Sequence, residues 1–442
     1  MRRDAVEPRR EGGAAIALKV LVVGSGGREH ALVYALRRSP QRPELLCAPG
    51  NAGIAADARL LEIAADDTDR LVAAARDEAV ELVVVGPEVP LVAGLVDALS
   101  AAGVRAFGPT QAAAELEGSK EFAKQAMAAA GVPTAAWSRA RSVAEGLQAI
   151  SSYPAVLKAD GLAAGKGVVI AADETEARAT LEALLVEHRF ATETVLVEEH
   201  LEGEELSLLA LCDGERALAM APARDYKRIF DGDRGPNTGG MGSYSPVQGL
   251  DANAISEIIA TVHQPIVDHM RERGTPFHGV LYGGLMLTAD GPRVIEFNVR
   301  FGDPETQALL PRLRSDLLEA LLRTTSPGGL AGYELAWSPR WSVTLVLASA
   351  GYPERPSLGE TISGLDRVSP GVEVTHAGTA RRDREIVTSG GRVLGVTALG
   401  EDPAGARSSA YAAAQMIDFA GKQLRTDIAA QAVAASPGGQ PA

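Results

Sequence analysis

The segment Arg293–Thr306, RVIEFNVRFGDPET, concentrates side chains that can do chemistry. Strand alternation over Val294–Arg300 sends Glu296, Asn298 and Arg300 to one face and Ile295, Phe297 and Val299 to the other. A carboxylate, an amide oxygen and a guanidinium make a poor core, but they suit a magnesium site beside an anion clamp. The competing reading is an edge strand with a solvated polar face. DGLAAGKG (Asp160–Gly167) looks like a P-loop, yet its glycine spacing is one residue short and Gly167 replaces the hydroxyl residue. A strand follows it rather than a helix. Lys166 in this loop, with Lys158 on the preceding strand, fits a glycine hairpin that folds over a triphosphate. A solvated surface hairpin is the alternative.

Three further stretches invite a ligand. GSGGREH (Gly24–His30) lies between a strand and a helix, where backbone N–H groups and the helix dipole hold phosphate. Glu29 stands where a dinucleotide fingerprint has its last glycine, so a phosphate monoester suits the turn better than a dinucleotide; a plain turn is the alternative. VEEHLEGEE (Val197–Glu205) sets five carboxylates around a strand end. Its backbone can meet adenine while one Glu takes ribose hydroxyls, or the run is a solvated face. GPNTGGMG (Gly235–Gly242), with four glycines in eight residues, lets backbone approach a substrate closely, or simply connects two elements. The seven histidines show no ligand spacing such as HExxH and receive no role.

The elements that must position these residues fall into three groups. LKVLVVGSGGREHALVYALRR reads as strand, glycine turn and helix, and strands ELLCAPG, ELVVVGPE and VRAFGP alternate with helices TDRLVAAARDEAV and VPLVAGLVDALSAAG. Apolar strands alternating with helices indicate a doubly wound parallel sheet over 18–118. From Ser119 a helix leads into an α+β region whose two β-rich runs around Lys166 form a hairpin. This region includes the glycine-rich GPNTGGMG loop, one long helix SEIIATVHQPIVDHMRERG and the strands VLYGGLMLT and RVIEFNVRF. TSPGG is the most linker-like stretch, and a smaller α+β module follows over 332–435.

The chain has 442 residues, and its 43 basic against 57 acidic side chains give a net charge of −14. That length suggests about three domains, and that charge makes nucleic acid a poor partner. Cys47 and Cys212 cannot make a disulfide framework or a zinc cluster, so a reducing, cytoplasmic setting fits best. No apolar run reaches membrane-spanning length uninterrupted. Residues 1–17 and the tail 436–442 read as disordered.

GSGGREHA, APGNAG, VGPEVPLV, ELEGSK, KADGLAAGKGV, DYKR, GPNTGGMG, IEFNVRFGDPET and THAGT occur in this order, and with them nearly the whole folded chain resembles the phosphoribosylamine–glycine ligase family of the ATP-grasp superfamily. The resemblance implies a Rossmann-like N-terminal domain (18–118), an ATP-grasp domain (119–331) with a mobile lid subdomain (about 133–205), and a small C-terminal α+β domain (332–435). It implies the purine-synthesis reaction in which ATP, glycine and 5-phosphoribosylamine give ADP, phosphate and glycinamide ribonucleotide through glycyl phosphate, with Mg²⁺ or Mn²⁺. The expected ATP contacts are Lys120, Lys158, Gly165, Lys166, Gly167, Glu198, Glu199, Leu201 and Glu205. The substrate contacts are Gly26, Gly27, Arg28, Glu29, Asn51, Glu88, Pro236, Asn237, Thr238, Gly239, Gly240 and Asp303. Asp225, Lys227 and Arg300 are the expected catalytic residues, Arg300 as the clamp for glycine's carboxylate, and Glu296 and Asn298 the metal ligands. A monomer acting on small molecules, with neither nucleic acid nor membrane, completes the expectation. The chain departs from the family at Arg224, where Gln is commoner, and at LYGGLM, which lacks a metal-binding Glu found in many ATP-grasp relatives.

Overall fold

The computed structural model describes residues 18–163 and 167–436. The leader 1–17, most of the tail, and Gly165 and Lys166 therefore lie outside the described residues.

The first unit runs β1 (Lys19–Gly24), α1 (Gly27–Arg37), β2 (Glu44–Pro49), β3 (Arg59–Leu60), α2 (Thr68–Asp77), β4 (Leu82–Val85), α3 (Glu88–Val92), α4 (Leu95–Ala101), β5 (Ala106–Phe107) and α5 (Gln111–Gly118). Its strands form a parallel sheet in the order β3-β2-β1-β4-β5. Alternate residues of β1 serve two cores. Val20 and Val22 pack with Leu32 and Leu36 of α1, whereas Leu21 and Val23 pack with Leu71 of α2 and Leu95 and Leu99 of α4. A strand covered on both faces has to be apolar throughout, as KVLVVG is. The helix expected over VPLVAGLVDALSAAG is instead two, because Gly94 takes φ +87°, a left-handed conformation that ends one helix and starts the next.

The central unit opens with α6 (Lys120–Ala130), capped by Ser119 and closed by left-handed Gly131. It continues with β6 (Trp137–Ala140), α7 (Val143–Ala149), β7 (Ala155–Ala159), β8 (Val168–Ala171), α8 (Glu174–Leu185) and β9 (Val195–Glu199). The antiparallel sheet β6-β9-β7-β8 and its two helices enclose a core of their own, with Leu157, Leu181 and Val197 at its centre. β7 and β8 form the expected hairpin. The chain then runs through β10 (Glu204–Asp213), β11 (Ala217–Ala219), β12 (Arg224–Asp225), β13 (Arg228–Phe230), β14 (Arg234–Asn237), β15 (Gly242–Ser245), α9 (Ala252–Ile258), α10 (Gln264–Glu272), β16 (His278–Thr288), β17 (Gly291–Asn298), α11 (Glu305–Leu309) and α12 (Leu317–Thr324). A second antiparallel sheet, β11-β10-β16-β17, faces the first across a cleft. The long helix is interrupted by a π turn at Ile259–His263, a widening that accommodates Pro265. GPNTGGMG is not one loop: Gly235–Asn237 belongs to β14 and Gly242 opens β15, leaving only Thr238–Met241 between them.

The last unit holds β18 (Trp341–Ala348), β19 (Glu373–His376), β20 (Thr379–Arg382), β21 (Glu385–Thr388), β22 (Arg392–Gly400), α13 (Pro403–Met416) and α14 (Ala430–Ala434). Its main sheet has the order β12-β15-β18-β22-β19, so two strands from before residue 331 complete it. Ala406, Ala410, Ala413 and Ala414 let α13 lie close on that sheet. Among the described residues no helix is long and apolar enough to cross a membrane.

Candidate active site

The floor of the cleft is β17. Its pairing with β16 slips between Gly284 and Leu285, leaving Ile295 as an extra residue. Strict alternation therefore fails at one position: Val294, Phe297 and Val299 enter the core, whereas Ile295 does not. The slip has a use. The carbonyl of Ile295 accepts a hydrogen bond from Lys158 Nζ at 2.8 Å, tying the β6-β9-β7-β8 sheet to the floor. Burial pushes the Glu296 carboxyl up, but Lys227, Lys158, Lys120 and Arg300 outweigh it and hold the group below its ordinary value. Gly284, opposite Glu296, belongs to the LYGGLM segment, and a Cβ there would come 3.3 Å from Glu296 Cγ.

Facing this floor is a buried ionic cluster. Glu198 Oε2 pairs with Lys124 Nζ at 2.9 Å and Lys158 Nζ at 3.0 Å. Burial pushes the Lys124 ammonium down to about 8 against the attraction of Glu198. Glu198 Oε1 is buried with no hydrogen-bond partner among the described residues. Lys120 Nζ donates to Gly161 O at 2.8 Å, and Asp160 Oδ1 accepts the Lys120 backbone N–H at 2.6 Å at the start of α6. Burial lowers the Lys120 ammonium, opposed by Glu296. Glu199, by contrast, is engaged elsewhere, accepting from Ala136 N and Arg293 Nη1, both at 2.9 Å. Leu201 lies in the connector between the two sheets, and Glu205 pairs with Lys227 at 3.2 Å. Arg224 is tied to Glu204 at 2.6 Å and to Glu205 O at 3.0 Å.

The glycine turn of the first unit is filled by its own Glu29. That carboxylate accepts Gly26 N–H at 2.6 Å and Arg28 Nε at 2.5 Å, and Arg28 Nη1 reaches Phe301 O at 3.1 Å. A Cβ on Gly86 would lie 2.1 Å from Glu29 Oε1 and one on Gly24 2.6 Å from Glu29 Cγ, so both glycines make room for it. Asn51 holds the turn rather than facing the cleft. Its amide nitrogen donates to Ser25 O and His376 O at 2.8 Å, and its oxygen accepts Gly53 N at 2.9 Å and Ile54 N at 3.0 Å.

Arg300 differs from the expectation of a clamp free for glycine. Its Nε donates to Glu88 at 3.1 Å, and its Nη2 meets both Asn298 Oδ1 and Glu117 Oε1 at 3.1 Å. Nη1 reaches Phe301 O at 3.3 Å. With Glu88 and Glu117 already on the guanidinium, a bidentate fork is not open to a further carboxylate. Burial pushes the Glu88 carboxyl up, but Arg300 and Arg28 outweigh it and leave the group lowered; burial raises Glu117 despite Arg300.

Ser207 Oγ lies 3.2 Å from Asp225 and 3.1 Å from Tyr282 Oη, and Tyr282 donates to Glu305 at 3.0 Å. Burial pushes Asp225 up to about 7, with Lys227 opposing and Glu305 and Glu205 adding. Lys227 O accepts Thr238 N at 2.7 Å and Thr238 Oγ1 at 2.8 Å, while Thr238 Oγ1 accepts Gly240 N at 2.9 Å. Pro236 and Asn237 are half exposed or exposed on β14. Gly27 opens α1, and a Cβ there would meet Gln307 at 2.6 Å. Asp303 is held by Gln307 at 2.7 Å and Arg392 at 2.9 Å.

Glu296, Asn298, Arg300, Lys120, Lys158, Glu198, Lys227, Asp225 and Glu205 thus converge on one cleft, with Arg28, Glu29, Glu88 and Asp303 along its side. Glu199 and Asn51 turn their side chains into protein contacts, and Gly167 is buried at the hairpin, where a Cβ would lie 2.7 Å from Ala163 Cβ. Lys124, Glu117, Tyr282, Glu305 and Arg392 were not foreseen. Lys124 had a signal, standing four residues after Lys120 on one helix face.

Three comparisons bear on this arrangement. The sequence matches the models for phosphoribosylglycinamide synthetase over its N domain (18–117), its ATP-grasp (A) domain (118–306) and its C domain (342–431). A phosphoribosylamine–glycine ligase of Streptomyces coelicolor is 51% identical over 425 residues, covering 95% of this chain and 100% of that protein. The trifunctional purine biosynthetic protein adenosine-3 of Gallus gallus is 47% identical over 95% of this chain and 43% of its own length. The crystal structure of a Thermotoga maritima phosphoribosylamine–glycine ligase has a TM-score of 0.81 at 33% identity, covering 93% of this chain and 100% of that one. The biotin carboxylase domain of the Hydrogenobacter thermophilus 2-oxoglutarate carboxylase, at 18% identity and a TM-score of 0.69 over 92% of this chain and 91% of that one, shares the fold. With matching models in the same order as its three units, and the Streptomyces relative covered from end to end, the chain belongs to the phosphoribosylglycinamide synthetase family.

Proposed function

We propose that this chain joins glycine to 5-phosphoribosylamine, converting ATP to ADP and phosphate through a glycyl phosphate intermediate in purine biosynthesis. The observation that carries the reading is the cleft itself: Glu296 among Lys120, Lys158, Lys227 and Arg300, opposite a buried Glu198 with an unpartnered oxygen. Adenine's amino group would supply the donor that Glu198 Oε1 lacks, and the connector at Leu201 offers backbone to the adenine edge. Lys120 and Lys158 suit the phosphates. The family resemblance adds Gly165 and Lys166 as ATP contacts.

Glu296 and the second lone pair of Asn298 Oδ1 are hard oxygen donors, and among the described residues no three His, Cys, Asp or Glu side chains cluster as a complete metal cage. Two protein oxygens plus nucleotide phosphates match the way Mg²⁺ or Mn²⁺ is held in such sites. When bound, the ion would supply neutralisation of the charge on the transferring phosphoryl group.

Glycine's carboxylate is a poor electrophile. One carboxylate oxygen attacks the γ-phosphorus, the bond to the β-phosphate oxygen breaks, and ADP leaves. Arg300, fixed by Glu88 and Glu117, places a rigid positive charge beside the reacting groups without holding glycine in both arms. The amine of phosphoribosylamine then attacks the acyl carbon and phosphate leaves. Asp225, with its affinity near neutral pH, suits the proton that the amine gives up. Arg28 suits the ribosyl phosphate as a cation beside the site, whereas the Gly26 N–H is already taken by the Glu29 carboxylate. Cys47 and Cys212, both buried as free thiols, suit a reducing, cytoplasmic setting. Glycine labelled with ¹⁸O in its carboxylate tests the intermediate. One labelled oxygen should appear in the released phosphate, and unlabelled phosphate would exclude glycyl phosphate.

A further inference from the structure

Arg392, the first residue of β22, belongs to the C-terminal unit, yet its side-chain hydrogen bonds end on the central one. Nη1 donates to Gly239 O at 2.5 Å and Asp303 O at 2.7 Å, and Nη2 donates to Asp303 Oδ2 at 2.9 Å. These two contact points are joined. Gly240, at φ +109°, lies so close to Pro304 that a Cβ would sit 2.4 Å from Pro304 Cδ, and a Cβ on Gly239 would come 3.0 Å from Arg392 Cζ. The arginine thus packs tightly against the Thr238–Met241 loop. Tyr352, also C-terminal, accepts Gly239 N–H at 3.1 Å. On its other side the Asp303 carboxylate adjoins the N-terminal glycine turn, since a Cβ on Gly26 would lie 3.5 Å from Asp303 Oδ2. All three units therefore meet at Asp303, and the guanidinium that fixes it comes from β22.

We propose that Arg392 is the positioning residue through which the C-terminal unit sets the acceptor side of the site, the side that receives the phosphorylated amine, rather than the nucleotide side. This rests on the ligase reading above. A guanidinium can bridge the carbonyl of one loop and both the carbonyl and carboxylate of another because its donors form a planar fork; a lysine at this position can reach only part of that set. Its contacts fall on the Gly239 and Asp303 segments, next to Gly26 and Arg28, while Lys120, Lys158 and Glu198 lie across the cleft. A purely structural arginine would weaken every substrate alike, whereas a positioning one acts on the acceptor.

The test compares full-length wild type, Arg392→Lys and Arg392→Ala for the KM of ATP, the KM of phosphoribosylamine, kcat and melting temperature. Loss of charge-assisted hydrogen bonds should raise the acceptor KM of Arg392→Ala by about tenfold to a hundredfold. The ATP KM should change far less, and Arg392→Lys should fall between Ala and wild type. If Arg392→Ala does not fold, the same split in Arg392→Lys decides. Equal shifts in both KM values, or an unchanged acceptor KM in a folded variant, would overturn the inference. Wild-type turnover that ignores phosphoribosylamine would instead overturn the ligase reading itself.

Discussion

Glu296 stands among four cations on β17, so its charge matters more than its shape. Glu296→Gln keeps the hydrogen-bonding outline but removes the anionic oxygen that a hard cation prefers. We expect kcat to fall by about a hundredfold or more, with the remaining activity rising as metal is added, read from ADP release across a magnesium titration. An unchanged metal dependence would separate Glu296 from the ion. The polar face Glu296, Asn298 and Arg300 was legible in the sequence because strand alternation needs only neighbours. The partners that occupy Arg300 were not: Glu88 lies 212 residues away, and no local pattern announces that it will fill a guanidinium. Glu117 was within a recognised motif, ELEGSK, but its role depends on where Val299 and Arg300 are brought to meet it.

Elements were legible where one periodicity ran unbroken. β1 and the β7–β8 hairpin follow directly from apolar runs and glycine placement. VPLVAGLVDALSAAG broke at Gly94, whose left-handed φ a periodicity count cannot see, and β17 bulged at Ile295 because its register is set by β16. The glycine turn is the clearest case of an element built around a side chain. Glu29 is anchored by Gly26 N–H and Arg28, so it cannot step aside for a new methyl group. Gly86→Ala would place Cβ 2.1 Å from Glu29 Oε1. It should cost about 1–3 kcal/mol of stability, measured by denaturant unfolding. A variant as stable as wild type would mean that the turn relaxes freely and is not the rigid base assigned to it.

At the scale of the molecule, the sequence divided cleanly into three, but the structure does not part so cleanly at residue 331, since β12 and β15 complete the C-terminal sheet. A shared sheet leaves no mark in composition or linker chemistry. The N- and C-terminal units are also joined by histidines: His376 N–H donates to His30 Nδ1 at 2.8 Å. Burial holds the His376 ring down to about 3 and the His263 ring down to about 4, both below the usual value of 6.5. Each is neutral in the fold, so the unfolded chain binds protons first as the solution is acidified. Their contribution is complete above about pH 6.5 and is lost as the pH falls from there toward 4 and 3. Denaturant midpoints should decline over that window, and His376→Gln should flatten part of the decline. A slope identical to wild type would assign the acid sensitivity elsewhere.

One cleft couples ATP cleavage to the joining of two small molecules, and ADP release measured with each substrate omitted in turn tests that coupling. Full-rate ADP formation is expected only when glycine and phosphoribosylamine are both present, with glycinamide ribonucleotide formed in equal amount. ATP turnover that is indifferent to adding either substrate would contradict it.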